Sequence, residues 1–382
     1  MQICTIINST FSETPVFIWL SDNNSALVNK AFVDKVKSKT SIRSGELNQR
    51  DAQEAAKLIP NPSDSLMVSL LQQAERHCFN VGITSTSDYG ATYANVKFVD
   101  SLQKQGLLQI PVYAILEPST ENIVKYVSQI PYHTDNLKAL SVGFCLDGPL
   151  SQNLAVMRMP YGEGQNGKLA MSADSLLKIS QMAFEHGFQM CVNCVGDSAI
   201  RLVLNTFAEI LPAKNNMRWR IEGLHMAVRK DLRMLSNYNI IPSVQPLQYQ
   251  EAKAFIDDNF SKKLSREAFA WKRFLGQNQG IICGTDIPYN QLNPMSMFYA
   301  AVRHEKRRLR DKQSQELTTT QALKAMTIWA AYAQFDEKQR GSIEVGKWAD
   351  FVVTDENITT MYQPNLPYVK IERTYLRGKR VH

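Results

Sequence analysis

The chain has 382 residues, 44% hydrophobic and 21% charged, which is ordinary for a globular protein and enough for one large core or two smaller ones. Its net charge of +7 is only mildly basic and does not suggest a dedicated nucleic-acid binder. No apolar run approaches the roughly 20 residues that span a bilayer, and residues 1–8 lack the basic and long apolar regions of a signal peptide.

These features predict a cytoplasmic protein with neither nucleic-acid nor membrane partners. The six cysteines, mostly in apolar segments, read as reduced and buried. Cys191 and Cys194 have the spacing of a redox pair, but in a strand their side chains would fall on opposite faces. The dense basic run from Arg303 to Lys312 also holds Glu305 and Asp311 and reads as a solvated helix face.

In chain order, Pro15–Leu20 is a strand candidate and Ser25–Val36 a helix candidate. Residues 37–63 are polar and irregular, broken by Pro60 and Pro62. Leu66–Phe79 has helical periodicity, and Val81–Ser87 reads as a strand that stops at Asp88-Tyr89-Gly90. Further strands are expected at 111–116, 140–146, 189–195, 218–222, 240–245 and 279–285. Helices are expected between them at about 93–105, up to about 130, and at 173–186, 198–211 and 230–238. Residues 149–171 form a long loop. After a helix at 319–333 the tail changes character. Ala349–Thr354 and Val369–Val381 read as antiparallel strands with a turn at Arg377-Gly378-Lys379.

Regular strand–helix alternation, with no Gly-x-Gly-x-x-Gly fingerprint, favours a (β/α)8 barrel over a dinucleotide-binding sheet. The pivotal stretch is Gly280-Ile281-Ile282-Cys283-Gly284-Thr285-Asp286-Ile287-Pro288. Its short apolar run reads as a buried strand that presents Asp286 at its carboxyl end, the edge where α/β folds place their chemistry. On these residues alone, a carboxylate capping the next segment is an equal alternative.

Several motifs together carry a resemblance: Gly284-Thr285-Asp286-Ile287-Pro288, the helix around Ala322, Thr327 and Ala331, and Gly341-Ser342-Ile343-Glu344-Val345-Gly346-Lys347-Trp348-Ala349-Asp350. Phe144–Gly148, Pro160-Tyr161, Val195–Ile200, Arg220-Ile221-Glu222 and Gln245-Pro246 narrow it. The chain resembles amidohydrolase family 3, the group of YtcJ-like proteins and N-substituted formamide deformylases, over nearly its whole length. The resemblance implies hydrolysis of a non-peptide carbon–nitrogen bond. It also implies an α/β TIM-type barrel with a small β-sandwich, holding zinc or another divalent transition metal. In such a family the metal is held by a His-x-His on strand 1, a carboxylated lysine on strand 4 and histidines on strands 5 and 6. An aspartate on strand 8 takes the proton of the attacking water.

Carried over position by position, the lysine falls on Gly143 and the two histidines on Asn193 and Gly223. Asp22-Asn23-Asn24 replaces an Asp-Gly-His at the mouth, and the chain is expected to begin after the His-x-His strand. Of the metal-site residues only Asp286 remains. The resemblance therefore implies residues 1–65 as the insertion after strand 1, 66–335 as a barrel lacking its first strand, and 336–382 as a partial β appendage.

The expected site has Asp286 as its catalytic carboxylate, with Asn24, Asp147, Asn193, Asp197, Glu222 and His225 in the substrate pocket. No metal is expected to be bound. The remaining histidines show no ligand-type pairing. The expected ligand is a small amide, with a second copy or partner chain covering the open barrel edge. The reading is a metal-free, catalytically impaired relative. The alternatives are an active enzyme whose metal site is rebuilt from Cys145 and Cys191, whose parity lets them face inward, and a truncated gene product without activity.

Overall fold

The computed structural model describes residues 2–20, 25–36, 43–127, 131–161, 164–277, 280–303 and 315–382. The basic run beyond Arg303 lies outside them. The chain divides into two compact units, Met1–Ser69 and Leu70–His382, with the boundary inside the helix Asp64–Asn80.

In the first unit, β1 (Phe17–Trp19), β2 (Ala26–Val28) and β3 (Gly45–Leu47) form an antiparallel sheet. The helix expected from Ser25 begins only at Lys30, because Ala26-Leu27-Val28 is paired on both sides. Fully buried Asn29 marks the switch: its Oδ1 accepts the N–H groups of Val16 and Phe32, and its Nδ2 donates to the carbonyls of Phe11 and Thr14. The stretch expected to be irregular holds β3 and the helix Gln49–Ala56. Asn48 caps that helix by accepting from the Asp51 N–H, and Ala52 and Ala55 enter the core one turn apart.

The second unit is mixed α/β. Seven parallel strands run in the order β4 (Thr86–Ala91), β5 (Val112–Leu116), β7 (Leu137–Cys145), β8 (Gln189–Asn193), β9 (Arg220–Glu222), β10 (Ile241–Val244) and β11 (Ile282–Cys283). β6 (Tyr132–His133) joins β7 as a short antiparallel partner. Sheet order follows chain order with helices between, the arrangement of a curled parallel half-barrel. The path is open: among the described residues, β4 and β11 are its two edges.

The first barrel strand lies five residues beyond its expected start. Residues 81–85 instead end the preceding helix: Ile83 N–H returns to the Cys78 carbonyl and Gly82 has φ +81°. A Cβ on Gly82 would lie 3.1 Å from Val352, so the glycine admits the tail sheet. β4 then runs through Asp88-Tyr89-Gly90, with a register irregularity at Gly90 carrying the pairing onward.

Register assigns the inner face. Ser141, Gly143 and Cys145 pair with Gln189, Cys191 and Asn193, and Cys191 and Asn193 pair with Arg220 and Glu222. Tyr113, Ile115 and Cys191 form one inner cluster, whereas Met190, Val192 and Cys194 join the outer core under the helices. Cys191 and Cys194 thus face apart, as strand parity dictates.

The amino-end floor is closed by the helix Ile328–Ala333 and the residues after it. Gln189 Nε2 donates to the Ala333 carbonyl, and Lys138 Nζ donates to the Phe335 carbonyl and pairs with Asp336. Arg218 forks onto Glu337 at 2.8 and 2.9 Å and stacks on Tyr332. The helix expected at 319–333 is broken at Thr327, giving Thr319–Ala325 and Ile328–Ala333. Gly341 packs against the break, where a Cβ would lie 2.9 Å from the Ile328 Cα.

The tail forms an antiparallel sheet of β12 (Phe351–Thr354), β13 (Ile371–Leu376) and β14 (Lys379–Arg380), turning at Arg377-Gly378 as the sequence predicts. No helix among the described residues is long and apolar enough to cross a membrane.

Candidate functional site

Asp286 lies just beyond β11, and the N–H of Gly284 bonds the Val244 carbonyl to keep this segment beside β10. Its backbone is left-handed, φ +59°, a conformation that aspartate tolerates better than most residues. The carboxylate accepts a 2.7 Å hydrogen bond from Gln248 Nε2, on the helix that follows β10. Burial, with the nearby Glu222 charge adding to it, holds the Asp286 carboxyl above the usual aspartate range, although the Gln248 bond opposes the shift.

Glu222, at the end of β9, is anchored by Arg220 at 3.0 Å. The same guanidinium Nε lies 3.2 Å from Cys191 Sγ, while Nη2 is buried without a hydrogen-bond partner. Asn193 ends β8 opposite Glu222, and Cys145 ends β7 opposite Asn193. Burial, then the charges of Asp286 and Asp147, push the Cys145 thiol up, which disfavours the thiolate. Cys145, Asn193, Glu222 and Asp286 therefore gather at the carboxyl end of the strands.

The two glycines in this set are sterically committed. A Cβ on Gly143 would meet Ile115 Cγ2 at 2.5 Å, the Cys191 carbonyl at 2.6 Å and the Tyr89 ring at 3.1 Å. Tyr89 reaches from β4 across Gly143 and donates its hydroxyl to the Cys191 carbonyl at 2.7 Å. Gly223 has φ +66°, and a Cβ there would lie 2.5 Å from Asn193 Oδ1.

The other expected pocket residues are placed differently. Asp147 accepts the backbone N–H groups of Val156, Val195 and Gly196 at 2.8–2.9 Å, so it ties the loop after β7 to the loop after β8. Burial outweighs these bonds and pushes its carboxyl up to about 6. Asp197 opens the next helix and accepts the Arg158 N–H at 2.9 Å.

His225 is buried and stacks on Phe269 with ring centroids 4.4 Å apart, and its Nε2 has no hydrogen-bond partner. Burial pulls it down to about 4, against a smaller upward pull from Gln245. Asn24 lies outside the described residues.

Sequence reasoning missed two contributors to the mouth. Tyr89 is hidden because the strand is expected to stop at Asp88-Tyr89-Gly90, and Gln248 because its position one helical step beyond Gln245-Pro246 carries no local signal.

A divalent metal held by the family's residue types does not fit this donor set. Gly143 and Gly223 offer no side-chain donor, and the space above Gly143 is filled by Tyr89 and Ile115. Asn193 supplies only a neutral amide, a weak ligand for such a metal. What remains is a hydrogen-bonding mouth with carboxylate acceptors on Asp286 and Glu222 and amide groups on Asn193 and Gln248.

A model described as the amidohydrolase family matches residues 9–382. Among curated proteins, YtcJ of Bacillus subtilis (strain 168) is 24% identical over 339 residues, covering 85% of this chain and 63% of that protein. The LONG AFTER FAR-RED 3 protein of Arabidopsis thaliana is 26% identical over 248 residues, covering 62% and 42%. The chain therefore spans less than two thirds of the length of these relatives. Among solved structures, an uncharacterized metal-dependent hydrolase from Pyrococcus horikoshii OT3 superposes with a TM-score of 0.82. It is 20% identical, with 94% of this chain and 75% of that one covered. A similarly described hydrolase from Pyrococcus furiosus gives 0.78 at 21% identity, covering 91% and 73%.

Proposed function

The chain belongs to the amidohydrolase family, and from that premise we propose that it uses the barrel mouth to bind a small amide-type ligand without metal-dependent hydrolysis. One observation carries this reading: the position that the resemblance assigns to a metal-bridging lysine is a glycine whose Cβ direction is closed by Ile115, the Cys191 carbonyl and Tyr89. A substituted ligand at that point would need the strand or the tyrosine to move. Beside Asp286 the mouth places a second carboxylate, Glu222, and the positions that the resemblance assigns to metal ligands carry Gly143, Asn193 and Gly223.

The chain's own groups can still bind and orient. Asp286 and Glu222 accept N–H groups, Gln248 fixes the Asp286 carboxyl, and Arg220 anchors Glu222. We place the protein in a reducing, cytoplasmic-type compartment, a reading supported by six free cysteines. Coverage of the open sheet edges by a second copy or a partner chain belongs to the same proposal.

Elemental analysis of protein purified without chelators tests the central claim, together with an assay on N-substituted formamides. The expected result is substoichiometric zinc, iron and manganese and hydrolysis at background. One equivalent of a transition metal, lost with activity in Asp286→Ala, would overturn it and favour the rebuilt thiolate site.

A further inference from the structure

At the amino end of the strands, opposite Asp286, the second unit contains an open cavity of about 320 Å³. Ile241 and Ile282 form its strand wall, and Ile328, Trp329 and Tyr332 form its helix wall. Each strand residue lies at or near the start of its strand, so the cavity opens where the β10–β11 edge begins. The pocket is open to solvent on one side, and its walls hold two aromatic and three branched aliphatic side chains around room for a bicyclic molecule.

The polar groups around it define that occupant by making no demand on it. Glu337 is taken by the Arg218 fork, and Lys347 by Ser342 and Glu344. Asn239 donates to the Asn215 carbonyl and approaches the Tyr332 hydroxyl. No unsatisfied charge asks for a counter-charge, and Gly280 lets the backbone approach the Trp329 ring, with a Cβ there 3.1 Å from Cγ. We propose that this cavity is a second binding site, separate from the barrel mouth, for a small, uncharged aromatic molecule of about bicyclic size. Trp329 and Tyr332 provide the aromatic surfaces against which its ring packs by offset or edge contact.

The test is calorimetric titration of the whole chain with 1-naphthol, alongside Ile282→Trp and Ile328→Trp, each of which fills the cavity. One-to-one binding that weakens at least tenfold in both filled variants and is unchanged in Asp286→Asn supports the site. Hydrogen exchange on the wild-type chain avoids any folding defect in the variants: naphthol should slow exchange at residues 280–283 and 328–332. Absence of binding, binding unaffected by both folded variants, or protection confined to the mouth would overturn it. So would a dimer in light scattering that Ile282→Trp dissociates, which would assign the cavity to a second copy.

Discussion

Gly143 shows why a glycine at the rim is not a vacancy. Tyr89 and Ile115 pack into the space a larger residue would need, and the Cys191 carbonyl sits 2.6 Å from the Cβ position. Gly143→Lys is therefore expected to lower stability by about 1–3 kcal/mol through overpacking, and to leave metal content unchanged. Urea midpoints and elemental analysis measure the two effects. Adding Tyr89→Ala should recover part of the stability, because it removes the nearest ring. Gly223 carries a different constraint: its φ of +66° favours glycine, so His at 223 meets backbone strain as well as Asn193.

At the scale of elements, Asp147 joins two loops through three backbone N–H groups while His225 is stacked into the outer core, and their titrations oppose each other. Asp147 is raised from 3.8 to about 6, so between those values the folded chain holds a proton that the unfolded chain has lost. Stability from Asp147 accordingly falls as pH rises from about 4 to about 6. His225 is lowered from 6.5 to about 4, so across that window the unfolded chain holds the extra proton. Stability from His225 rises with pH over the same range. Each amounts to about 3 kcal/mol at most, and the two largely cancel. Denaturation between pH 4 and 6.5 should show a steeper fall with rising pH in His225→Gln than in wild type. Asp147→Asn should tilt the profile the other way. Asp147→Ala should also cost about 1–3 kcal/mol or more at neutral pH, since it leaves buried amides unpaired.

For the whole molecule, the open path from β4 to β11 decides where the second unit is weakest. Interior strands such as β8 have neighbours on both sides, whereas among the described residues β4 and β11 each have one. Native-state hydrogen exchange should follow this order: β7 and β8 amides should open only with global unfolding, and β4 and β11 amides earlier. Equal protection of β11 and β8 in the isolated chain would mean that another segment or copy covers the edge.

The strand–helix alternation that yields the parallel sheet is written in local periodicity, and so is the tail hairpin at Arg377-Gly378. The carboxyl-end placement of Asp286 follows from a short apolar run ended by glycine, with Pro288 beyond it. Cap and pairing information was weaker. Ala26-Leu27-Val28 became a strand because two neighbours bonded it, and β4 passed Gly90 because β5 held its register. The site divided in the same way. Register alone aligned Cys145, Asn193 and Glu222 along one rim. Tyr89 crossing Gly143, Asp147 turned to backbone amides, and His225 buried against Phe269 depend on residues dozens of positions away. Local chemistry sets which way a strand residue faces, because the side-chain period is two. What that residue then meets is fixed only when distant strands and loops pack around it.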